Sequence, residues 1–203
     1  MNDDQVYIDT LKDQIKGGMY DHLFEGKHDL TFLDIGANIG LVSVYAVPYC
    51  KRIVAVEPAP ETFKQLRENT RNYPMIECLA LALAPTNEWQ DFYVNDINFT
   101  ASSTVNTYGT KTKVMGVTLS TLLAEHNLTH VDVCKIDAEG AEGESLTFPQ
   151  LEAAKGIIDT YYIETHNCPK TTWNHKIGTL VAYLSQLGYH NMSINGMSLT
   201  ASK

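Results

Sequence analysis

The sequence predicts an α/β fold built on a doubly wound, mostly parallel sheet, and three observations predict it. Short apolar runs alternate with helix-forming stretches from residue 31 onward. A loop with two glycines, Asp34-Ile35-Gly36-Ala37-Asn38-Ile39-Gly40, stands where the first apolar run meets the first helical stretch. Near the other end, YHNMSI and MSLTA flank Asn195-Gly196, the dipeptide of a tight β-hairpin. Right-handed crossovers then restrict the topology to few choices.

The elements follow in order. Ile8, Leu11, Ile15, Met19 and Leu23 recur every three or four residues, marking one face of an amphipathic helix that Gly17-Gly18 breaks or bends. TFLDIG (31–36) reads as a buried strand, IGLVSVYAV (39–47) as the helix after it, and Pro48 as its end. RIVAVEP (52–58) is apolar on both faces, as a parallel strand is. PETFKQLRENTRN (60–72) is a polar helix with Phe63 and Leu66 on one side and Pro60 in its first turn. MIECLALAL (75–83) is a third apolar run. Residues 84–116, rich in Thr, Asn, Ser and Gly, predict one inserted strand (DFYVN, 91–95) and a loop. TLSTLLAEH (118–126) is a short helix, VDVCKID (131–137) and TYYIETH (160–166) are core strands, and Ile177, Leu180, Leu184 and Leu187 mark a late helix stopped by Gly188.

A chain of 203 residues suits one domain, 1–203, with a helical extension over 1–29 and the insertion over 84–116. Lys+Arg 15 against Asp+Glu 24 gives a net charge of −9, which argues against nucleic acid and anionic lipid as partners. No run approaches the roughly 20 apolar residues of a membrane span. The start, MNDDQVYIDT, lacks the basic and apolar parts of a secretory signal, and Cys50, Cys78, Cys134 and Cys168 form no CxxC pair. A cytoplasmic protein with free thiols is expected. Oligomeric state is left open, since the leading helix can cover its own sheet or a second subunit.

The glycine loop lets the backbone turn tightly and approach a ligand at the carboxyl end of a strand. Glu57 ends the second strand, where a carboxylate can accept both hydroxyl protons of a ribose. A dinucleotide fingerprint, G-x-G-x-x-G, fails twice when begun at Gly36, because Asn38 and Leu41 occupy the later glycine positions. No P-loop is present. S-adenosylmethionine, which carries no phosphate, suits the loop better. A strand–helix turn that needs glycine for packing alone is the bland alternative.

A second cluster, Lys135-Ile136-Asp137-Ala138-Glu139-Gly140-Ala141-Glu142, follows the fourth core strand. Burying so many charges is costly, so they are expected to face a cleft or water. Glu164 and His166 end the fifth strand, with Glu164 also readable as a partner for Lys135. These motifs, LDIGANIG, AVEPAPETF, KIDAEGAE and Ile163-Glu164-Thr165-His166, resemble the FkbM-type S-adenosylmethionine-dependent methyltransferases over about residues 30–190. The resemblance implies a Rossmann-like class I methyltransferase: a mostly parallel seven-stranded sheet with a terminal antiparallel hairpin and flanking helices. It implies O-methylation of a hydroxyl on a sugar or other small metabolite. It places Asp34, Gly36, Asn38 and Gly40 along the methionine part of the cofactor, Glu57 on the ribose, and Pro58 and Ala82 beside the adenine. Asp137 and Glu139 then face the methyl group and acceptor. Ala84-Pro85 and Ser120 depart from the family's acidic positions, and Ser120 reads as a changed helix cap.

For a hydroxyl acceptor, alignment contributes most and a base adds roughly 10²–10⁴-fold. Asp137, Glu139 and His166 are the candidate catalytic residues, with Glu164 beside them; His166 also reads as a structural histidine. Asp137, Glu139 and His166 can also be read as oxygen and imidazole ligands of a divalent metal. Nothing in their spacing demands one, and the reading adopted is metal-free. Ser102, Ser103, Thr104, Tyr93, Phe99 and Tyr108 are the candidate acceptor contacts. Two alternatives are a non-catalytic S-adenosylmethionine-binding module and a nucleotide-sugar or dinucleotide enzyme on the same sheet. Asp34, Glu57, Asp137, Glu139 and Glu164 all map to one sheet edge, which suits a cationic sulfonium better than a pyrophosphate.

Overall fold

The structure, a computed structural model, describes residues 9, 12–94, 104, 109–167 and 172–203. Its main sheet begins with β1 (Leu30–Ile35), β2 (Cys50–Val56) and β3 (Ile76–Leu79). It continues through β7 (Val131–Asp137) and β8 (Ile158–Glu164), and ends in the hairpin β9 (Asn191–Asn195) and β10 (Ser198–Ser202). The order is β3-β2-β1-β7-β8-β10-β9. All neighbours pair in parallel except β10, which runs antiparallel to both β8 and β9. Strand order therefore reverses between β1 and β7, and a ligand crevice is expected at their carboxyl ends.

The central strands are buried on both faces, as the apolar runs require, while β9 at the edge is mostly exposed. Successive residues of β1 point opposite ways. Phe32 packs with Phe24, Ala46, Ile53 and Val133 on one face, while Leu33 and Ile35 join Leu122, Leu180 and Leu184 on the other. The first face is covered by the N-terminal segment. Helical residues 12–16 (α1) end at a turn where Gly18 has φ 85°, and α2 (Asp21–Phe24) follows. Phe24 meets Phe32 edge-on at 5.1 Å between ring centroids, so this part of the extension docks on its own sheet.

Helix α3 (Leu41–Ala46) runs into a 3₁₀ turn over Val47–Tyr49, so Pro48 tightens the helix rather than simply stopping it. Helix α4 (Pro60–Thr70) buries Leu66 as its spacing predicts. Helix α5 (Leu119–Glu125) is capped by Thr118, whose side chain accepts from the Thr121 N–H. The cap is thus not Ser120, whose hydroxyl instead donates to Gln150. Short helices α6 (Glu142–Ser145) and α7 (Phe148–Ala153) precede β8, and α8 (Trp173–Gln186) precedes the hairpin. Gly188, at φ 95°, ends that helix where the sequence places its stop.

The inserted region differs from its prediction. The third apolar run splits at residues 80–81: its first half is β3 and its second is β4 (Ala82–Leu83). Strands β4, β6 (Thr110–Val117) and β5 (Trp89–Val94) make a separate three-stranded sheet in the order β4-β6-β5. The prediction lacked β6 because its first half, Thr110–Lys113, is polar and mostly exposed, and its apolar residues, Val114, Met115 and Val117, come only in its second half. The hairpin also shifts by one residue. Asn195 pairs with Ser198, leaving Gly196-Met197 as the two-residue turn, with Gly196 at φ 58°. The Met197 carbonyl accepts from both the N–H and the Oγ of Thr165, each at 2.9 Å, so the hairpin tip is tied to the end of β8. Among the described residues, no helix is long and apolar enough to cross a membrane.

Candidate active site

A cavity of about 400 Å³ lies at the carboxyl ends of β1, β2, β7 and β8, within the usual range of small-molecule sites. Its floor is the loop between β1 and α3. A Cβ at Gly36 would lie 1.8 Å from the Asp137 carbonyl oxygen, so only glycine lets the loop pass beneath β7. Gly36 and Ala37 donate their N–H groups to the Val56 carbonyl at 2.9 and 3.0 Å, tying the loop to β2. Asn38 takes a left-handed conformation, φ 53°, which aims its N–H at Glu57 Oε2, 3.0 Å away. The Ala59 N–H donates to Glu57 Oε1 at 2.8 Å. Each Glu57 oxygen thus holds one backbone donor and keeps a further lone pair for a ligand. Burial pushes its carboxyl up to about 7, against those two hydrogen bonds.

Gly36, Asn38, Glu57, Pro58 and Ala82 line the cavity, as the sequence places them. Asp34 and Gly40 do not. Asp34 is fully buried below the floor, accepts from Ser43 Oγ at 2.7 Å and lies 3.4 Å from Lys135 Nζ. Gly40 turns toward α4, where a Cβ would meet Leu66 at 2.7 Å. Both shape the loop from behind rather than touching its contents. Lys135 joins the floor to the opposite wall: it donates to the Gly36 carbonyl and pairs with Asp34 and Asp137. Burial alone would lower its pKa, but Asp137 and Asp34 hold it well above the ordinary lysine range.

The opposite wall is acidic. Asp137 and Glu164 end neighbouring strands in register, Glu139 follows at φ 50°, and His166 lies two residues beyond β8. His166 Nε2 stands 3.8 Å from Asp137 Oδ1, Glu139 Oε2 and Glu164 Oε1 alike. Lys135 pairs with Asp34 and Asp137, and Glu164 faces this imidazole. Burial pushes the Glu139 carboxyl up to about 8, with the Asp137 charge adding to it. Burial pulls His166 down, yet its hydrogen bond to Glu142 and the charges of Glu139 and Asp137 outweigh that and raise it to about 9.

Glu142 corrects the expectation that every charge of this segment faces a cleft or water. It is fully buried, and its donors explain why it can be. The N–H groups of Ala138 and Gly140 reach Oε1 at 3.0 and 3.1 Å, His166 Nδ1 lies 3.3 Å away, and Lys176 Nζ lies 3.5 Å from Oε2. These contacts hold the carboxyl below the ordinary range despite burial. Lys176, also buried, donates to the Gly140 and His166 carbonyls at 2.8 and 2.7 Å. Sequence reading missed it; the available signal was a lysine four residues before Leu180, on the apolar stripe of the late helix.

The acceptor side is only partly the predicted one. Thr104 lines the cavity, but of the adjacent pair Phe92-Tyr93 it is Phe92 that does so. Successive strand residues face opposite ways, so Tyr93 turns outward to Lys111, 5.9 Å from its ring centroid. Phe99, Ser102, Ser103 and Tyr108 lie outside the described residues. Gln14, Met19 and Tyr20 also line the cavity, although the sequence assigned this segment to helix packing. Among the described residues, two groups of side chains stand close enough to share a metal ion: Asp137, Glu139 and His166 here, and His130, Asp132 and Asp159 at the amino ends of β7 and β8.

Residues 34–190 match the family described as "Methyltransferase FkbM domain". No curated protein matches by sequence. Among solved structures, the chain resembles a methyltransferase FkbM from Methylobacillus flagellatus KT with TM-score 0.59 and 12% identity, covering 90% of this chain and 45% of that one. A precorrin-6y C5,15-methyltransferase from Geobacter metallireducens GS-15 gives TM-score 0.53 and 15% identity over 92% and 86% of the two chains. A Methanococcus jannaschii fibrillarin pre-rRNA processing protein gives 0.51 and 13% over 86% and 66%. At these identities the structural likenesses carry the fold: a class I methyltransferase sheet.

Proposed function

The chain belongs to the FkbM methyltransferase family, and from that premise we propose that it transfers a methyl group from S-adenosylmethionine to a hydroxyl of a sugar-like or other small metabolite. One observation carries the reading: a single cavity joins the Gly36–Asn38 loop and Glu57 to Asp137, Glu139 and His166. S-adenosylmethionine fits the donor set at the first end. Glu57 has lone pairs left for ribose hydroxyls, the loop brings backbone to the floor, and the wall is acidic where a sulfonium would lie. When bound, it supplies an electrophilic methyl carbon on a positively charged sulfur.

The chain's own residues do the rest. Glu57 and the loop fix the cofactor's position, and Pro58 and Ala82 give its base an apolar border. Asp137, Glu139 and His166 meet the acceptor hydroxyl. As its O–H bond breaks, an O–CH₃ bond would form in place of the cofactor's S–CH₃ bond, leaving a neutral thioether, and the proton would pass to this cluster. Holding oxygen and methyl carbon close and aligned is the larger contribution. Phe92, Thr104 and Met19 shape the acceptor's space.

Incubation with methyl-labelled S-adenosylmethionine and a panel of hydroxylated small molecules tests the proposal. Label is expected in a methyl ether, and is lost in Asp137→Asn. Absence of S-adenosylmethionine binding at millimolar concentration overturns the cofactor assignment, as would binding of NAD in its place. Label on nitrogen or carbon overturns the hydroxyl assignment.

A further inference from the structure

We propose that Asp137, Glu139 and His166 form a divalent-cation site whose ion holds the acceptor's oxygen in the cavity. This reverses the metal-free expectation, and it rests on the methyl-transfer reading while adding to it. Distances support it first. The imidazole Nε2 stands 3.8 Å from the Asp137 and Glu139 oxygens, too far for hydrogen bonds. Two donors each about 2.1 Å from a shared ion stand roughly 3.0–4.2 Å apart, so the spacing is that of co-ligands. All three donor atoms lie within 4.8 Å of one another.

The orientation of His166 supports it next. Its Nδ1 lies 3.3 Å from the buried Glu142 carboxylate, so the proton on that nitrogen is held there and Nε2 turns toward the carboxylates. A carboxylate behind the imidazole is the usual outer partner of a metal-bound histidine. Asp137 supports it independently: its Oδ1, the atom facing His166, is buried and has no hydrogen-bond partner. A buried carboxylate oxygen without a donor is costly, and a cation removes that cost. Glu164 adds a third carboxylate facing the same nitrogen. Mixed carboxylate and imidazole donors suit Mn²⁺ or a neighbouring first-row divalent ion better than Mg²⁺, which prefers oxygen alone. The cluster lines the cavity, so positions left open on the ion face the acceptor, and an acceptor with two adjacent oxygens fits best.

The test is titration of the chelator-treated full chain with Mn²⁺, followed by calorimetry and electron paramagnetic resonance, beside a separate titration with S-adenosylmethionine. One Mn²⁺ per chain is expected, with imidazole-nitrogen coupling in the wild-type spectrum, a readout that needs no variant. Dissociation constants should rise at least tenfold in Asp137→Asn and Glu139→Gln, and stay unchanged in Asp159→Asn, which alters the other candidate group. No saturable binding, equal affinity in Asp137→Asn, or loss confined to Asp159→Asn overturns the site. If S-adenosylmethionine binds and Mn²⁺ does not, the cation alone fails. If Mn²⁺ binds as described and S-adenosylmethionine does not, the site stands and the methyl-transfer reading fails.

Discussion

At the β1–β2 end of the cavity, recognition is built from backbone. Gly36 has no room for a side chain, Asn38 takes a left-handed turn, and the contacts to Glu57 come from main-chain N–H groups. At the β7–β8 end it is built from side chains brought together from separate segments: Asp137, Glu139 and Glu142 from one, His166 and Lys176 from others. The first end is one short stretch of sequence plus one glutamate. The second exists only when two strands and a late helix have met. Backbone sites tolerate little change in shape; side-chain sites tolerate shape but depend on charge balance.

The sharpest way to break that contrast is Gly36→Val. The new Cβ would have to displace the Asp137 carbonyl from a positive-φ position, so stability should fall by about 4 kcal/mol and cofactor binding should vanish. Thermal unfolding and calorimetry check both. Next comes Glu142→Gln. It removes the charge that balances buried Lys176, costing about 3 kcal/mol, while S-adenosylmethionine affinity should hold. A parallel loss of affinity would mean that the two ends are not separable.

Glu57 gives a smaller, two-part effect. Glu57→Ala should weaken S-adenosylmethionine binding by about 10- to 100-fold, the worth of hydrogen bonds to a charged group. Its carboxyl is raised from 4.5 to about 7 by burial. A folded value above the unfolded one gives stability that is full below pH 4.5 and lost as pH rises through 7. The free protein should therefore lose stability over that window, and Glu57→Gln should flatten the loss in denaturant titrations at several pH values. Met19→Ala should do least: a several-fold change in acceptor KM with cofactor affinity unchanged, since Met19 borders the cavity from the N-terminal segment.

The contrast also explains what the sequence made legible. The core strands were readable because parallel strands are apolar on both faces, and the place of Gly36, Asn38 and Glu57 on the cavity wall because a strand–helix loop is local in sequence. Asp34 was placed one layer too high, since nothing in a sequence distinguishes a carboxylate under a loop from one inside it. Strand β6 escaped notice because its polar half is decided by its partner β5, not by its own residues. Phe92 and Tyr93 were exchanged because two adjacent aromatics do not announce which faces inward. Glu142 and Lys176 stayed hidden as a pair because they are 34 positions apart and each alone resembles a surface residue.

The hairpin tip has a reach its position does not suggest. Met197 is 38% exposed and contributes nothing to the cavity wall, yet its carbonyl holds Thr165 by two hydrogen bonds. Thr165 stands between Glu164 and His166. Surface turns are where insertions and fusion tags are usually tried, because they tolerate length changes well. This one is a poor choice: an extra residue there would leave most of the sheet intact while letting the imidazole drift, yielding a protein that purifies normally and turns over slowly.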